Sequence, residues 1–416
     1  MPVMPTASAR GRIGRNFFWK SAAESSKAFS ALYVILLARH LGSSELGRFS
    51  VGFSGAMILA TVGDFGLNTL LTRHAAVDRS RGTTVFLQTA YLKTIFFAAL
   101  FILVALWPGL GHSRVFYLLF LGIAAGRNII DQLSYLCLAY EKLIIEAQIK
   151  FILGSLSLGL IWLAVLIKPS VNAAAGALLA AYLLSVCVGA ALVARHALTL
   201  PEITRWPKLG WPVSDLSELL AMILINVSLA GFARIDISCL NWLGVATAEI
   251  GRYFAAERII AVAGLLPGFL AIAALPVISR PEDAGHSGTI FRLRKELFIA
   301  GCAAGLALNV WGGALVGLVY GEGFQEAARP LAWLAAALPF TFINYFSLIA
   351  LIADKRAWQA AAAAFTAFSL NIMIDWMMIP RLGIAGAALG AVSAQATVSV
   401  IAWFMLSPRF QGRRSH

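Results

Sequence analysis

Twelve stretches of about 20 mainly apolar residues, set apart by short polar breaks, constrain this chain more than any motif in it. They run approximately over residues 17–38, 49–72, 85–107, 115–138, 149–168, 173–194, 216–243, 254–279, 296–320, 330–353, 357–379 and 385–407. A helix rises about 1.5 Å per residue, so each stretch is long enough to cross ~30 Å of hydrocarbon. The runs are solidly apolar, whereas strands of a membrane barrel alternate over about 10 residues. Only 13% of the 416 residues are charged, against about 25% in ordinary soluble domains. So little charge cannot cover a water-facing surface. The expected fold is all-α, a polytopic membrane protein of about twelve transmembrane helices.

The positions of Lys and Arg set the expected orientation. With the N-terminus in the cytoplasm, 21 basic residues fall on cytoplasmic segments and 7 on the opposite loops. Both termini are therefore expected in the cytoplasm. This asymmetry also accounts for most of the net charge of +13, so nucleic acid is not an expected partner. The Ala7-Ser8-Ala9 run precedes the basic cluster, the wrong order for a cleaved signal peptide. Cys137, Cys187, Cys239 and Cys302 all fall within spans, which supports neither disulfides nor a zinc site.

An internal repeat is visible. Leu41-Gly42 and Gly47-Arg48-Phe49, between spans one and two, match Leu243-Gly244 and Gly251-Arg252-Tyr253, between spans seven and eight. The offsets are 202 for Gly42 to Gly244 and 204 for Gly47 to Gly251. Residues 176–181 match 386–391 more weakly, as Gly/Ala-rich helices resemble one another by composition. Two six-helix pseudo-repeats around a central cavity are expected, one over 1–205 and one over 206–416. Both start on the same side, a parallel repeat that suits alternating access.

Ionisable residues at bilayer depth cost roughly 2.5–3.5 kcal/mol on insertion scales, so they face cavities or partners. Here they concentrate on spans one, two, four, seven and eight: Glu24 and Lys27, Asp64, Arg127 and Asp131, Arg234 and Asp236, Glu257 and Arg258. Each has a plainer reading. Glu24–Lys27 and Arg127–Asp131 stand at intrahelical ion-pair spacings. Arg234, Glu257 and Arg258 have the option of snorkelling to an interface. Asp64, inside Gly63-Asp64-Phe65-Gly66, has the option of capping a helix break. Lys93 lies near the end of span three, and Asp375, beside Asn371, leans structural. Ser21, Ser25, Ser26 and Ser30 make span one unusually polar.

Several segments together resemble the lipid-linked oligosaccharide flippases of polysaccharide biosynthesis, the Wzx-like O-antigen and exopolysaccharide translocases. That family sits in a superfamily with multidrug and toxin extruders and the lipid II flippase. The segments are Leu36–Ser50, Asp64-Phe65-Gly66-Leu67 with Leu71-Thr72-Arg73, Asp236, Gly251-Arg252-Tyr253 with Ala256, Tyr320–Phe324 and Leu382–Ala388. The resemblance implies an undecaprenyl-diphosphate-linked oligosaccharide as substrate, a bacterial inner membrane, and polysaccharide polymerase proteins as partners. It implies a cationic cavity, carried over as a chemical expectation for Lys27, Arg127, Arg234 and Arg258. Glu24, Asp64, Asp131, Asp236 and Glu257 are the candidates for charge balance or for coupling to Na⁺ or H⁺.

No phosphate-binding Gly-rich loop, His-Glu-x2-His or nucleophile elbow is present, so no cofactor or enzymatic activity is expected. Two rival readings remain. One is a cation-coupled drug exporter of the same superfamily. The other is a membrane-embedded glycosyltransferase or ligase, a class that usually carries a large catalytic loop.

Overall fold

A computed structural model describes residues 18–23, 25–196, 216–232, 234–267, 286–353 and 356–406. Among the described residues every regular element is helical, as lipid demands of a backbone whose polar groups must be satisfied within the chain. The helices are α1 (Lys27–Val62), α2 (Leu67–Val77), α3 (Arg79–Leu106), α4 (Arg114–Ala139), α5 (Leu143–Ile167), α6 (Val171–His196), α7 (Leu216–Phe232), α8 (Ile235–Trp242), α9 (Thr247–Ala263), α10 (His286–Tyr320), α11 (Ala328–Ala335), α12 (Leu338–Ala353), α13 (Ala357–Leu382) and α14 (Ile384–Leu406).

The apolar stretches map onto these helices, with breaks where the sequence is polar or glycine-rich. Among the described residues six spans are continuous helices: Gly82–Leu106, Leu143–Ile167, Val171–His196, Arg292–Tyr320, Ala357–Leu382 and Ile384–Leu406. Three more are bent pairs. The chain turns by 46° between α1 and α2, 57° between α7 and α8, and 49° into α12. The expected eighth stretch runs past residue 267, outside the described residues. Ile102, Leu106, Leu306 and Leu318 are exposed along the outside, and Ile167 is 84% exposed. Such a rim is stable only against hydrocarbon. The molecule is an all-α, multi-pass membrane protein.

Gly42 and Gly244 both adopt a φ of +76°, a left-handed conformation that costs glycine little. At each of them one helix stops and the next begins. Other turns match as well, at the larger offset of 214 from Lys142 to Arg356. The Lys142 amide closes on the Cys137 carbonyl at 2.7 Å, and the Arg356 amide closes on that of Leu351 at 2.9 Å, five residues back in both cases. A short 3-10 helix follows α3 (Pro108–Ser113), and another follows α10 (Glu322–Ala327).

Helices α1 and α9 cross where these turns meet. Gly47 rests on the Thr247 carbonyl and Gly251 on that of Ser43, with no room for a Cβ on either. Close backbone approach at small residues is how membrane helices gain contact when no hydrophobic effect separates them from lipid. Ser44 and Thr247 hydroxyls lie 3.0 Å apart beside the crossing. Arg39 donates from Nε to the Val319 carbonyl at 2.8 Å and from Nη2 to that of Leu318, capping the end of α10. One apolar core includes Leu37, Phe49 and Phe120 on one side of this crossing and Ile250, Phe254 and Ala387 on the other.

Candidate functional site

Away from that crossing, the helices before residue 197 and those after 215 separate around a cavity of about 800 Å³. Ser26, Lys150, Leu265 and Ile352 carry its wall toward the end opposite the Gly47–Gly251 contact. Six of the nine charged residues singled out from sequence line it: Arg127, Asp131, Arg234, Asp236, Glu257 and Arg258. They reach it from three helices, α4, α8 and α9, and from the α7–α8 break, segments that no local sequence relationship would bring together.

The cations are unequally paired. Arg127 Nε donates to Asp131 Oδ2 at 2.7 Å, the i,i+4 pair expected on α4. Lys150 Nζ, on α5, donates a hydrogen bond to Glu146 Oε1 at 2.7 Å, and Glu146 also accepts from Lys20. Arg258 makes a longer contact, 3.4 Å, to Glu257. Arg234 has no carboxylate within ion-pairing distance among the described residues, and its Nη1 is buried without a hydrogen-bond partner. Its guanidinium lies over the Phe53 ring at 5.1 Å, and that of Arg258 lies over the same ring at 5.9 Å and over Phe254 at 4.6 Å. Ring faces attract cations but do not neutralise them. Among the described residues Arg234 is therefore the cavity cation that lacks a carboxylate contact.

Two snorkelling readings are corrected by this arrangement. Arg234 has φ −142° and ψ −19°, outside a helix, because α7 ends just before it and α8 starts just after. The break turns its side chain into the protein. Arg258 is only 6% exposed, so it does not reach an interface either. Glu24 and the Lys27 side chain lie outside the described residues, although Ala23, Ser26 and Ser30 of the same segment line the cavity.

Asp64 is not a cavity residue. It sits where the chain breaks between α1 and α2, with Phe65 at φ +48° and Gly66 at +70°. Lys93 of α3 reaches it at 2.7 Å and donates also to Asn68 Oδ1 at 2.9 Å. Both side chains are largely buried, at 14% and 4% exposure. Each charge is thus balanced by the other, which explains Lys93 at the same time.

Asp375, read from sequence as structural, belongs to a second group. Asp236 Oδ2 accepts a 2.6 Å hydrogen bond from Tyr253, while its Oδ1 has no partner. Asp375 and Asn371 of α13 adjoin it, both with no exposure at all, and their side-chain oxygens and nitrogen make no hydrogen bond of good geometry among the described residues. Gly390 of α14 closes the far side, where a Cβ would overlap Asp375 Oδ1. Two buried carboxyls cannot both stay ionised and uncompensated, since each unpaired buried charge costs several kcal/mol. The group fits a proton shared between the carboxyls or one hard monovalent cation, since carboxylate, amide and phenol oxygens suit such an ion. The i,i+4 spacing of Asn371 and Asp375, polar residues on one face of an apolar span, was the sequence signal for it.

No family model matches the chain, and no curated protein matches it by sequence. Solved structures match it in fold. The chain is similar to an inward-facing multidrug resistance MATE family transporter of the MOP superfamily, at a TM-score of 0.74 and 14% identity, covering 94% of this chain and 96% of that one. It is similar to the lipid II flippase MurJ in an inward closed conformation, at a TM-score of 0.66 and 14% identity over 93% and 87%. It is also similar to a MOP superfamily transporter from Pyrococcus furiosus, whose binding pocket is described as having reverse polarity, at 0.69 and 15% over 98% and 97%. At these identities the likeness is one of fold. The chain folds as the MOP-superfamily transporters do.

Proposed function

We propose that this protein is a flippase that moves an undecaprenyl-diphosphate-linked oligosaccharide from the inner to the outer leaflet of a bacterial inner membrane. The observation that carries the reading is Arg234, a buried cation with no carboxylate partner among the described residues, in a central cavity it shares with Arg258 and Arg127. A diphosphate supplies the missing negative charge, and planar guanidiniums match phosphate oxygens in geometry. Residues 1–205 and 206–416 act as two bundles, with both termini cytoplasmic. The cavity then faces the cytoplasm, where such a lipid is made, and the Gly47–Gly251 crossing closes the periplasmic side. Transport requires that crossing to part while the cytoplasmic ends come together. The Asp236–Asp375 group couples the change to an ion, taking up H⁺ or Na⁺ in one state and losing it in the other. Asp131 and Glu257 trim the cavity charge so that the product is released.

The test is the lipid-linked repeat unit itself. Loss of the protein should accumulate it on the cytoplasmic leaflet and remove surface polysaccharide. Unchanged pools and normal surface polysaccharide would refute the assignment. A cation-coupled drug exporter is the second reading, favoured by the aromatic and carboxylate part of the lining (Tyr33, Phe53, Asp131, Glu257). It predicts raised drug sensitivity in the deletion strain with polysaccharide intact.

A further inference from the structure

The cavity wall formed by α12 and α14 differs in chemistry from the arginine region. Asn344 and Gln395 line it, and they are wired together. Asn344 Nδ2 donates to the Gln395 backbone carbonyl at 2.8 Å and to Gln395 Oε1 at 2.7 Å. Ser399 Oγ in turn donates to Asn344 Oδ1 at 2.7 Å. Asn344 is 4% exposed and has its donors and its acceptor engaged. Gln395 is in the opposite position. Its oxygen is taken, so the amide is held one way round, and its Nε2 donates to nothing among the described residues. On α7, Ser228 lines the same cavity with a hydroxyl that is 1% exposed and has no hydrogen-bond partner.

We propose that this wall is a saccharide subsite, with Gln395 as a specificity-determining donor, Ser228 as a second contact, and Asn344 and Ser399 as positioning residues. The inference deepens the flippase reading and rests on it. The Asn344–Gln395–Ser399 network contains neither a cation nor a carboxylate, so it offers hydrogen bonds but does nothing to neutralise a diphosphate. An oriented amide N–H and a buried hydroxyl do suit the ring hydroxyls or N-acetyl oxygen of a neutral sugar. Buried polar groups left unpaired disfavour ligands that fail to pair them, and this is how such a site discriminates. The arginines would hold the diphosphate whatever glycan is attached, and the amide wall would read the sugar.

The experiment uses the full chain in nanodiscs with two probes, undecaprenyl diphosphate and undecaprenyl-diphosphoryl-N-acetylglucosamine. The wild type should bind the sugar-bearing lipid about 2- to 10-fold more tightly, the net worth of one or two hydrogen bonds. Gln395→Met should bring the affinity for the sugar-bearing lipid down to that for the sugarless one. Ser399→Ala should weaken the preference, and Arg234→Ala should lower both affinities together. A thermal melt matching wild type establishes that Gln395→Met is folded. If that variant keeps the preference, or loses affinity equally for both lipids, the subsite is refuted. Equal wild-type affinities refute the subsite alone, and wild-type binding of neither lipid refutes the flippase reading with it.

Discussion

Gly47 and Gly251 pack backbone to backbone, so that a Cβ on either one would overlap the other helix's main chain at Thr247 or Ser43. The contact joins the two matching Gly-Arg-aromatic segments of the sequence, and it closes one end of the cavity. Adding a methyl group there must separate α1 from α9. Overpacking of this kind costs about 1–3 kcal/mol, roughly a 5- to 150-fold shift in a two-state population. Gly47→Ala or Gly251→Ala should therefore favour the state open at that end. With the four native cysteines replaced, a reporter cysteine at Ser44 should label faster with an impermeant maleimide in either variant.

Arg234 and Arg127 should differ in their importance although both line the cavity. Arg127 is paired with Asp131 at 2.7 Å, while Arg234 has no carboxylate partner among the described residues. Arg234→Gln should reduce transport at least about 10-fold, the worth of a charge-assisted hydrogen bond in a dry site. Arg127→Gln should cost less, because it also frees Asp131. Polysaccharide export at matched membrane expression measures both, and a larger loss at Arg127 would contradict the charge count.

Asp236→Asn and Asp375→Asn test the ion-coupling group. Either change removes one of two buried carboxyls, so uptake of the coupling ion should fail while folding survives. Transport in proteoliposomes should lose its response to an imposed pH or Na⁺ gradient in both variants. A gradient response equal to wild type would assign the pair to structure alone. Gly390→Ala should give the same phenotype more weakly, since its methyl presses on Asp375.

Lys93→Met leaves Asp64 without its 2.7 Å partner. Breaking a buried pair from one side costs about 3–5 kcal/mol, because the remaining charge stays buried. The variant should lose expression and melt at lower temperature, and the double change Lys93→Met with Asp64→Asn should recover most of both. Substrate affinity should not move in the double variant, as Lys93 and Asp64 do not line the cavity.

What could be read without coordinates was what depends on residues close together in the chain. Apolar length places the spans, since the bilayer sets one length for all of them. The Arg127–Asp131 pair follows from the helical period, and the offset between Gly42 and Gly244 marks turns of equal conformation. Asp64 in a Gly-rich run marks a break for the same local reason. Tertiary structure decided everything that joins distant segments. Lys93 meets Asp64 from the next span, and Asp375 meets Asp236 across more than a hundred residues. Arg234 was a cavity candidate with snorkelling as its plainer alternative, and the 57° bend turns it inward. A side chain's partners across a bundle depend on helix rotation and crossing, which apolar spans with weak amphipathic pattern barely encode. The sequence by itself determined a many-helix membrane protein and which residues carry charge within it. Only the packing of one bundle on the other decided which of those charges are spent on each other and which remain for a ligand.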